Sequence, residues 1–216
     1  MRLQQFATIG LLLAFAVPGA DAQIIRPRFQ LSQPAAFVSF GVALQQGWSV
    51  TDGATNSLWQ FSDATQYVAS IERALSGGAS LGLRGSYAKV PMRYRSLAGG
   101  DVIAEEDADA GVSQLFGTLH VANGRGFHSV LELSAGATMY SRFTARSDGR
   151  RLNADGSDFD FTFAFGYGFG YAFSQAFSVD VVQDVATSLH QKTGLSAGQE
   201  SSTRLHSTRL VGRLGF

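Results

Sequence analysis

Hydrophobic residues alternate with small or polar residues at a period of two along most of the chain. The longest run places an aromatic side chain at seven successive odd positions, with only Asp, Thr, Ala and Gly between them. The aromatic residues of this run are Phe159, Phe161, Phe163, Phe165, Tyr167, Phe169 and Tyr171. Only a β-strand collects alternate positions on one face. Tilted by some 40°, a strand of this length rises about 30 Å, which is enough to cross the apolar layer of a membrane.

Seven further segments fit the same template, so the pattern predicts eight strands. The first carries Val38, Phe40, Val42 and Leu44 on one face, whereas the second, around Tyr67 and Ile71, is the weakest. Short turns are expected at residues 76–78, 123–126 and 173–175. Long polar connections are expected at residues 49–63, 96–109, 142–157 and 187–202. This alternation of short and long connections predicts an all-β fold, an eight-stranded antiparallel up-and-down transmembrane β-barrel over residues 36–216.

Alternation alone does not say which face points inward, so a soluble barrel with the aromatic face inside is the alternative. Seven aromatics from one strand would overfill an eight-stranded interior. The opposite face is built from small residues and a few charges, which suits a crowded lumen. We therefore predict that the aromatic face contacts lipid.

Both ends of the sequence agree with this interpretation. Residues 6–17 form a short apolar stretch after Met1-Arg2, and Ala20-Asp21-Ala22 has the pattern of a cleavage site. Residues 1–22 therefore predict a secretory signal peptide, with residues 23–35 as a periplasmic lead-in. At the other end, Leu210, Gly212, Leu214 and Phe216 alternate up to the terminal aromatic. This segment resembles the C-terminal signature that the barrel-assembly machinery reads in bacterial outer-membrane barrels.

Composition excludes several classes of function. The formal net charge is zero, so nucleic acid is not an expected partner. The chain has no cysteine, so its stability after export cannot depend on disulfides. No cofactor and no metal site is predicted, and a monomer is expected.

With the aromatic face toward lipid, six charged residues of opposite parity are predicted to lie in the lumen. They are Glu72, Arg84, Glu132, Asp180, Arg209 and Arg213. Buried charges must be paired, so we expect Glu72 to lie beside Arg84 and Asp180 beside Arg209 and Arg213. His120 and His128 are expected to form a cross-strand pair. Such a network would plug the lumen, and an ion-conducting path is the alternative.

Candidate chemistry outside the lumen is sparse, and no catalytic residue is predicted. Lipid A deacylase barrels carry a His-x-Ser arrangement, but the matching spacing here gives His206 and Thr208 without the serine. The second long connection is acidic and the third is basic, with Arg142, Arg146, Arg150 and Arg151. Mutual attraction of the two loops is the simpler interpretation, and pairing of the arginines with lipopolysaccharide phosphates is the alternative.

Taken together, the chain resembles the small outer-membrane barrels, the class of the OmpA membrane domain, OmpX and opacity-protein-like surface antigens. This resemblance implies a Gram-negative cell outer membrane, with outer-membrane lipid, lipopolysaccharide and the barrel-assembly machinery as partners. It also implies a non-enzymatic surface protein whose exposed loops serve adhesion or envelope integrity. The alternatives are a narrow channel or a barrel for a small hydrophobic ligand, and a lipid A-modifying enzyme.

Overall fold

The computed structural model describes residues 34–122, 125–152, 159–190 and 202–216. The predicted signal peptide and most of the lead-in lie outside these residues. These described residues form ten strands: β1 (Ala36–Gln45), β2 (Trp48–Asp52), β3 (Ser57–Phe61), β4 (Ala64–Ala74), β5 (Ala79–Ala98), β6 (Asp101–Ala122), β7 (Gly126–Ala145), β8 (Phe159–Ala172), β9 (Phe177–Leu189) and β10 (Ser202–Gly215). Within the described ranges, no helix is long and apolar enough to cross a membrane.

Eight of these strands close into a ring of antiparallel neighbours, in the order β1, β4, β5, β6, β7, β8, β9, β10 and back to β1. The predicted all-β up-and-down barrel of eight strands is therefore confirmed. The ring closes where Phe37 of β1 faces Gly215 of β10, and the backbone N–H of Phe216 donates to the carbonyl of Ala36 at 2.9 Å.

The outer surface of the ring is an apolar belt. All seven aromatics of β8 lie on it with 40% to 64% of their surface exposed. Leu210, Leu214 and Phe216 of the C-terminal segment are also exposed, and Gly212 lies between them on the same face. Such a continuous exposed apolar surface is unfavourable in water and favourable in lipid.

Above this belt the hydrophobic residues change face without a break in the strand. In β5, Leu81, Leu83 and Tyr87 point outward, whereas Val90 and Met92 point inward. The register with β6 runs without interruption from Ala79 to Ser96, so the strand itself does not switch sides. Outside the membrane the outer face meets water and the interior must supply the apolar core. The change of parity thus marks the upper edge of the lipid-facing belt.

Strand pairing continues above the belt. Two segments that were predicted to be loops are therefore mostly strand, and the prediction is wrong for them. Residues 49–63 mostly form the β2–β3 hairpin, in which Val50 and Trp59 face each other and point inward. Residues 96–109 are mostly strand, because β5 and β6 continue to a tight turn at Gly99-Gly100. We call the part of the barrel above the belt, built from β2, β3 and the distal ends of β5, β6 and β7, the extracellular extension.

A β-bulge in β7 keeps two aromatics in the core of this extension. Ser141 pairs with Gly111 and Thr144 with Asp109, so two residues of β7 face one residue of β6. The extra residue allows both Tyr140 and Phe143 to point inward. Arg142 lies between them, exposed, at a positive φ of 54° that a non-glycine residue rarely adopts.

Candidate functional site: the lumen and its extracellular cap

The lumen holds all six of the charged residues proposed for it, and a layer of ion pairs crosses its centre. Arg84 Nη1 lies 2.6 Å from Glu132 Oε2 and 3.7 Å from Asp184 Oδ1. Arg209 binds Glu132 and Asp184 as well. All four side chains are less than 10% exposed. Two guanidinium groups and two carboxylates therefore neutralise each other in a largely buried site.

A second ion pair lies nearer the periplasmic end. Arg213 Nη2 donates to Glu72 Oε2 at 2.8 Å, and the hydroxyl of Ser80 donates to the same oxygen at 2.6 Å. The guanidinium carbon of Arg213 also lies 3.5 Å from the centre of the Phe37 ring. This arrangement holds the cation between a carboxylate and an aromatic face.

The predicted partners of these charges are wrong. Arg84 faces Ser70 across the β4–β5 pair, whereas Glu72 faces Gly82. Asp180 bonds to neither arginine but accepts a hydrogen bond from His128 Nε2 at 3.2 Å. His120 faces Glu132, so His120 and His128 are not a cross-strand pair. In a lumen this narrow, long side chains reach across to distant strands instead of to their sequence neighbours.

Two glycines of β8 make room for this network. A Cβ on Gly170 would lie 1.9 Å from Asp180 Oδ1 and 2.6 Å from His128 Nε2, so any larger residue would displace the ends of these two side chains. A Cβ on Gly166 would approach Asp184 Oδ1 to 2.9 Å. The small residues between the aromatics of β8 are thus needed by the buried charges on the neighbouring strands.

The central layer divides the lumen into two small cavities. One, of about 10 Å³, lies on the periplasmic side, and the other, of about 20 Å³, lies on the extracellular side; Arg84 and Arg209 line both. Each is about the size needed for a single water molecule. A wider vestibule of about 370 Å³ opens below them at the periplasmic mouth, beside Arg125 and Phe177.

An apolar core closes the lumen at the extracellular end. Trp59 is only 2% exposed, and its ring centre lies 4.7 Å from that of Phe143 and 5.7 Å from that of Tyr140. Trp48 stacks on Phe61 at 4.4 Å. The indole N–H of Trp59 donates to Ser57 Oγ at 2.7 Å, so its polar atom is satisfied inside this core. We call this group of five aromatic residues with its neighbours the extracellular cap.

A buried histidine joins the cap to the barrel wall. His190, the first residue after β9, lies against the Trp59 ring and bonds through Nδ1 to Asp160 Oδ1 of β8 at 2.8 Å. Its Nε2 lies 3.6 Å from Asp52 Oδ1 of β2. Burial lowers the pKa of this imidazole, but the hydrogen bond to Asp160 and the negative charges of Asp160 and Asp52 outweigh burial and raise the pKa to about 9. At neutral pH a cation therefore links two carboxylates from different strands.

This cluster predicts a pH dependence of the cap. Because the folded-state pKa of His190 lies above the ordinary value of 6.5, protonated His190 stabilises the folded cap fully below pH 6.5. This contribution to stability is lost as the pH rises through about 9. We expect the urea midpoint for loss of trypsin resistance in the extension to fall between pH 7 and pH 10. In His190→Gln the fall should be smaller. An equal fall in both proteins would show that His190 does not control it.

Sequence reasoning missed Asp52, Asp160, Asp184 and His190. A signal was present for two of them, because Asp184 shares the inward parity of Asp180 and Asp160 alternates with the aromatics of β8. Asp52 and His190 lay in segments assigned to loops. Asp52 nevertheless continues the inward positions of Trp48 and Val50.

The acidic and basic segments bind each other at the extracellular end of the extension. Arg146 Nε donates to Asp109 Oδ1 at 2.9 Å, and Arg150 pairs with Glu106. Burial raises the pKa of Asp109, but the hydrogen bonds from Arg146 and Lys89 outweigh burial and lower it. Residues 153–158 of the basic segment lie outside the described residues.

His206 and Thr208, which have the His-x-Ser spacing of the lipid A deacylases, do not form a nucleophile–base pair. Thr208 Oγ1 donates to Gln183 Oε1 at 2.6 Å on the outer face of the barrel instead of to His206. The His190–Asp160 pair is almost completely buried, with side-chain exposures of 3% and 0%. In this conformation it has no access to a substrate.

Comparison with known proteins bears on the fold. No family model and no curated protein matches the sequence. The crystal structure of Neisserial surface protein A aligns with a TM-score of 0.54 at 10% identity, over 84% of this chain and 97% of that chain. The β-barrel domain of Pseudomonas aeruginosa OprF and the Yersinia pestis attachment protein Ail align at 12% identity, with TM-scores of 0.42 and 0.43. They cover 85% of this chain and 100% and 99% of theirs.

The fold is that of the small outer-membrane β-barrels. At such low identity the likeness extends to the architecture and not to a ligand or an activity. A closed even-stranded barrel with an apolar belt and a polar interior is the structure with which bacterial proteins cross the outer membrane. The chain is therefore an outer-membrane protein.

Proposed function

We propose that this protein is a non-enzymatic surface barrel, closed to transport, that acts through contacts made by its extracellular extension. The observation that carries the proposal is the double closure of the lumen. The ion-pair layer of Arg84, Glu132 and Arg209 fills the centre, and the aromatic cap fills the extracellular end. A barrel closed in this way would not transport solutes. It would contribute to envelope integrity and act through its outer surface.

The extension has the rigidity that a contact surface requires. β5 and β6 remain paired almost to their turn, and the distal part carries cross-strand ion pairs such as Arg93 with Glu105 and Arg95 with Glu105. Val102 and Ile103 near the turn are 50% and 66% exposed. An apolar tip on a rigid hairpin suits adhesion to a protein surface.

The C-terminal residues Leu210, Gly212, Leu214 and Phe216 are proposed as the segment read by the barrel-assembly machinery. Their support is the outward position of the apolar side chains on β10, next to β1. β10 and β1 are the strands whose pairing closes the ring.

Adhesion of bacteria that express hairpin variants tests this proposal. Replacing residues 97–103 by Asn-Gly joins Ser96 to Ala104, which are already a cross-strand pair, through a two-residue turn. We expect the cells to lose adhesion to host-cell layers while the amount of folded barrel at the surface stays the same. The matched control is Gly77→Asn in the periplasmic turn, where the positive φ of 71° tolerates asparagine. Unchanged adhesion of the shortened variant would contradict the proposal.

Conductance distinguishes the narrow channel from the closed barrel. In planar bilayers the wild-type protein is expected to be silent, because neither small cavity exceeds the space for about one water. Reproducible single-channel openings would favour the channel.

Lipid A mass spectra from cells with and without the protein should be identical, and a mass difference would favour the lipid A-modifying enzyme.

A further inference from the structure

The vestibule at the periplasmic mouth ends blindly below the plugged part of the lumen. Its volume of about 370 Å³ lies at the lower end of the range of small-molecule pockets. Arg213 lines both the vestibule and the cavity of about 10 Å³ above it, so its guanidinium group forms the floor. A dead end of this size suits the end of a chain better than its middle.

The floor carries a hydrogen-bond donor that the described residues leave unused. The hydrogen bonds of Arg213 leave from Nη2, to Glu72 Oε2 and to Ser80 Oγ, at 2.8 Å each. Its Nε is buried but has no acceptor among the described residues. The Phe37 ring, 3.5 Å from the guanidinium carbon, holds the group in place. A buried donor without an acceptor is costly, and an oxygen atom of a ligand would remove that cost.

The side chains that line the vestibule include cations but no carboxylate. Arg125 is exposed at the rim, and His128 and Arg213 lie on the floor. Glu72 and Asp180, the partners of these two floor residues, line the small cavity behind them instead. The surface that a ligand meets is therefore positive, and the charge of Arg125 has no ion-pair partner within the described ranges. Such a surface favours an anion.

The walls of the vestibule suit small side chains and peptide groups. Gln175, in the turn between β8 and β9, makes no hydrogen bond with the described residues, so its amide can donate to and accept from a peptide group. Phe37 and Phe177 contribute aromatic surface. Most of the remaining apolar lining is alanine: Ala74, Ala79, Ala122, Ala172 and Ala176. The walls thus leave room for side chains of about the size of a methyl group.

We propose that the periplasmic vestibule binds the C-terminal carboxylate of a short peptide with small side chains. The blind end selects the end of a chain, and the positive floor and rim select a carboxylate and not an ammonium group. Arg213 binds the carboxylate on the floor, Arg125 adds positive potential at the rim, and Gln175 binds the preceding peptide group. This inference is independent of the proposed adhesive function, because the vestibule and the extension lie at opposite ends of the barrel.

Charge argues against the chain's own lead-in as the occupant. Residues 23–33 contain Arg26 and Arg28 and no acidic residue. These cations would be repelled by Arg125 at the rim.

Fluorescence anisotropy with the full exported chain, folded in a nonionic detergent, tests the proposal. The probe is a fluorescein-labelled tripeptide that ends in Ala-Ala with a free carboxylate, compared with the same peptide amidated at its C-terminus. We expect the carboxylate to bind and the amide not to bind. The probe is made with L-alanine and with D-alanine. Tighter binding of the D form would identify cell-wall peptides as the source of the ligand, and tighter binding of the L form would identify protein C-termini.

Three variants locate the binding. Arg213→Lys keeps a positive charge beside Glu72 but removes the planar set of donors, and it should weaken binding about tenfold. Arg125→Gln leaves the ion pairs of the lumen intact and should weaken binding about threefold at low salt and less at high salt. Ala172→Leu fills the vestibule without a change of charge and should abolish binding. The heat-dependent mobility shift shows that each variant is folded.

The matched control is Arg73→Gln, which removes an exposed arginine at the periplasmic end of β4 that does not line the vestibule. It should bind the peptide as the wild type does. The proposal is overturned by equal binding of the amidated peptide, or by wild-type affinity in folded Arg125→Gln and Ala172→Leu. It is also overturned if the full chain binds none of these peptides, because the vestibule is then either without a ligand of this kind or filled by residues 23–33.

Discussion

Replacing Glu132 by Gln is expected to destabilise the folded barrel by about 3–5 kcal/mol, because it breaks buried ion pairs and leaves uncompensated charge behind. Glu132 accepts from Arg84 at 2.6 Å, binds Arg209, and lies 3.0 Å from His120 Nδ1. Removal of its charge leaves Asp184 as the only remaining carboxylate of the central layer for the two guanidinium groups. The measurement is urea unfolding in phospholipid vesicles, followed by the loss of the heat-dependent mobility shift on gels.

The matched control for this variant is Glu105→Gln. Glu105 also contacts two arginines, Arg93 and Arg95, but its side chain is 40% exposed. An exposed pair of this kind contributes roughly 0–1 kcal/mol, so its midpoint should barely move. If both variants shifted equally, the central layer would not be the buried network described above.

Replacing Trp59 by Ala is expected to cost the extracellular cap about 3–5 kcal/mol and to loosen the extension while the membrane-spanning barrel stays folded. The indole contacts Tyr140, Phe143 and His190, and its loss leaves a cavity at their centre. Trypsin should then cleave at Arg93 or Arg95 in the extension, whereas the heat-dependent mobility shift of the protein remains.

The neighbouring Leu58 provides the control for this second variant. It lies on the opposite face of β3 and is only partly buried, so Leu58→Ala should leave trypsin resistance close to that of the wild type. If Trp59→Ala and Leu58→Ala were equally resistant to trypsin, the cap would not depend on its central indole. Loss of the mobility shift would show that the cap and the barrel unfold together.

Much of the fold could be predicted because lipid imposes a simple rule. In β8 every second residue is aromatic and the residues between are small or polar, and this pattern predicted the strand, the composition of its two faces and its length. The same rule failed above the membrane. There β5 buries Val90 and Met92 on the face that carries Arg84 lower down. The change of parity after Tyr87 could have identified the edge of the belt from sequence.

The partners in the lumen could not be predicted, for a geometric reason. Parity says that Arg84 and Glu132 share the interior, but they lie on β5 and β7, which are not neighbours. Their contact depends on the narrowness of the ring and on the stagger of all its strands. The distances of Glu72 and Arg84 from the turn between β4 and β5 therefore predicted the wrong partner for Glu72. The bulge at Arg142 was hidden for a similar reason, since it appears only against the register of β6.

The central claim is that the aromatic face of the barrel contacts lipid and the charged face lines the interior. A heat-modifiability gel of the purified outer-membrane fraction, with boiled and unboiled samples side by side, tests it most directly. We predict that the protein is found in that fraction and that the unboiled form migrates differently, because a folded membrane barrel resists SDS until heated. A protein found soluble in the periplasm with no mobility shift would contradict the claim and would place the aromatic face inside.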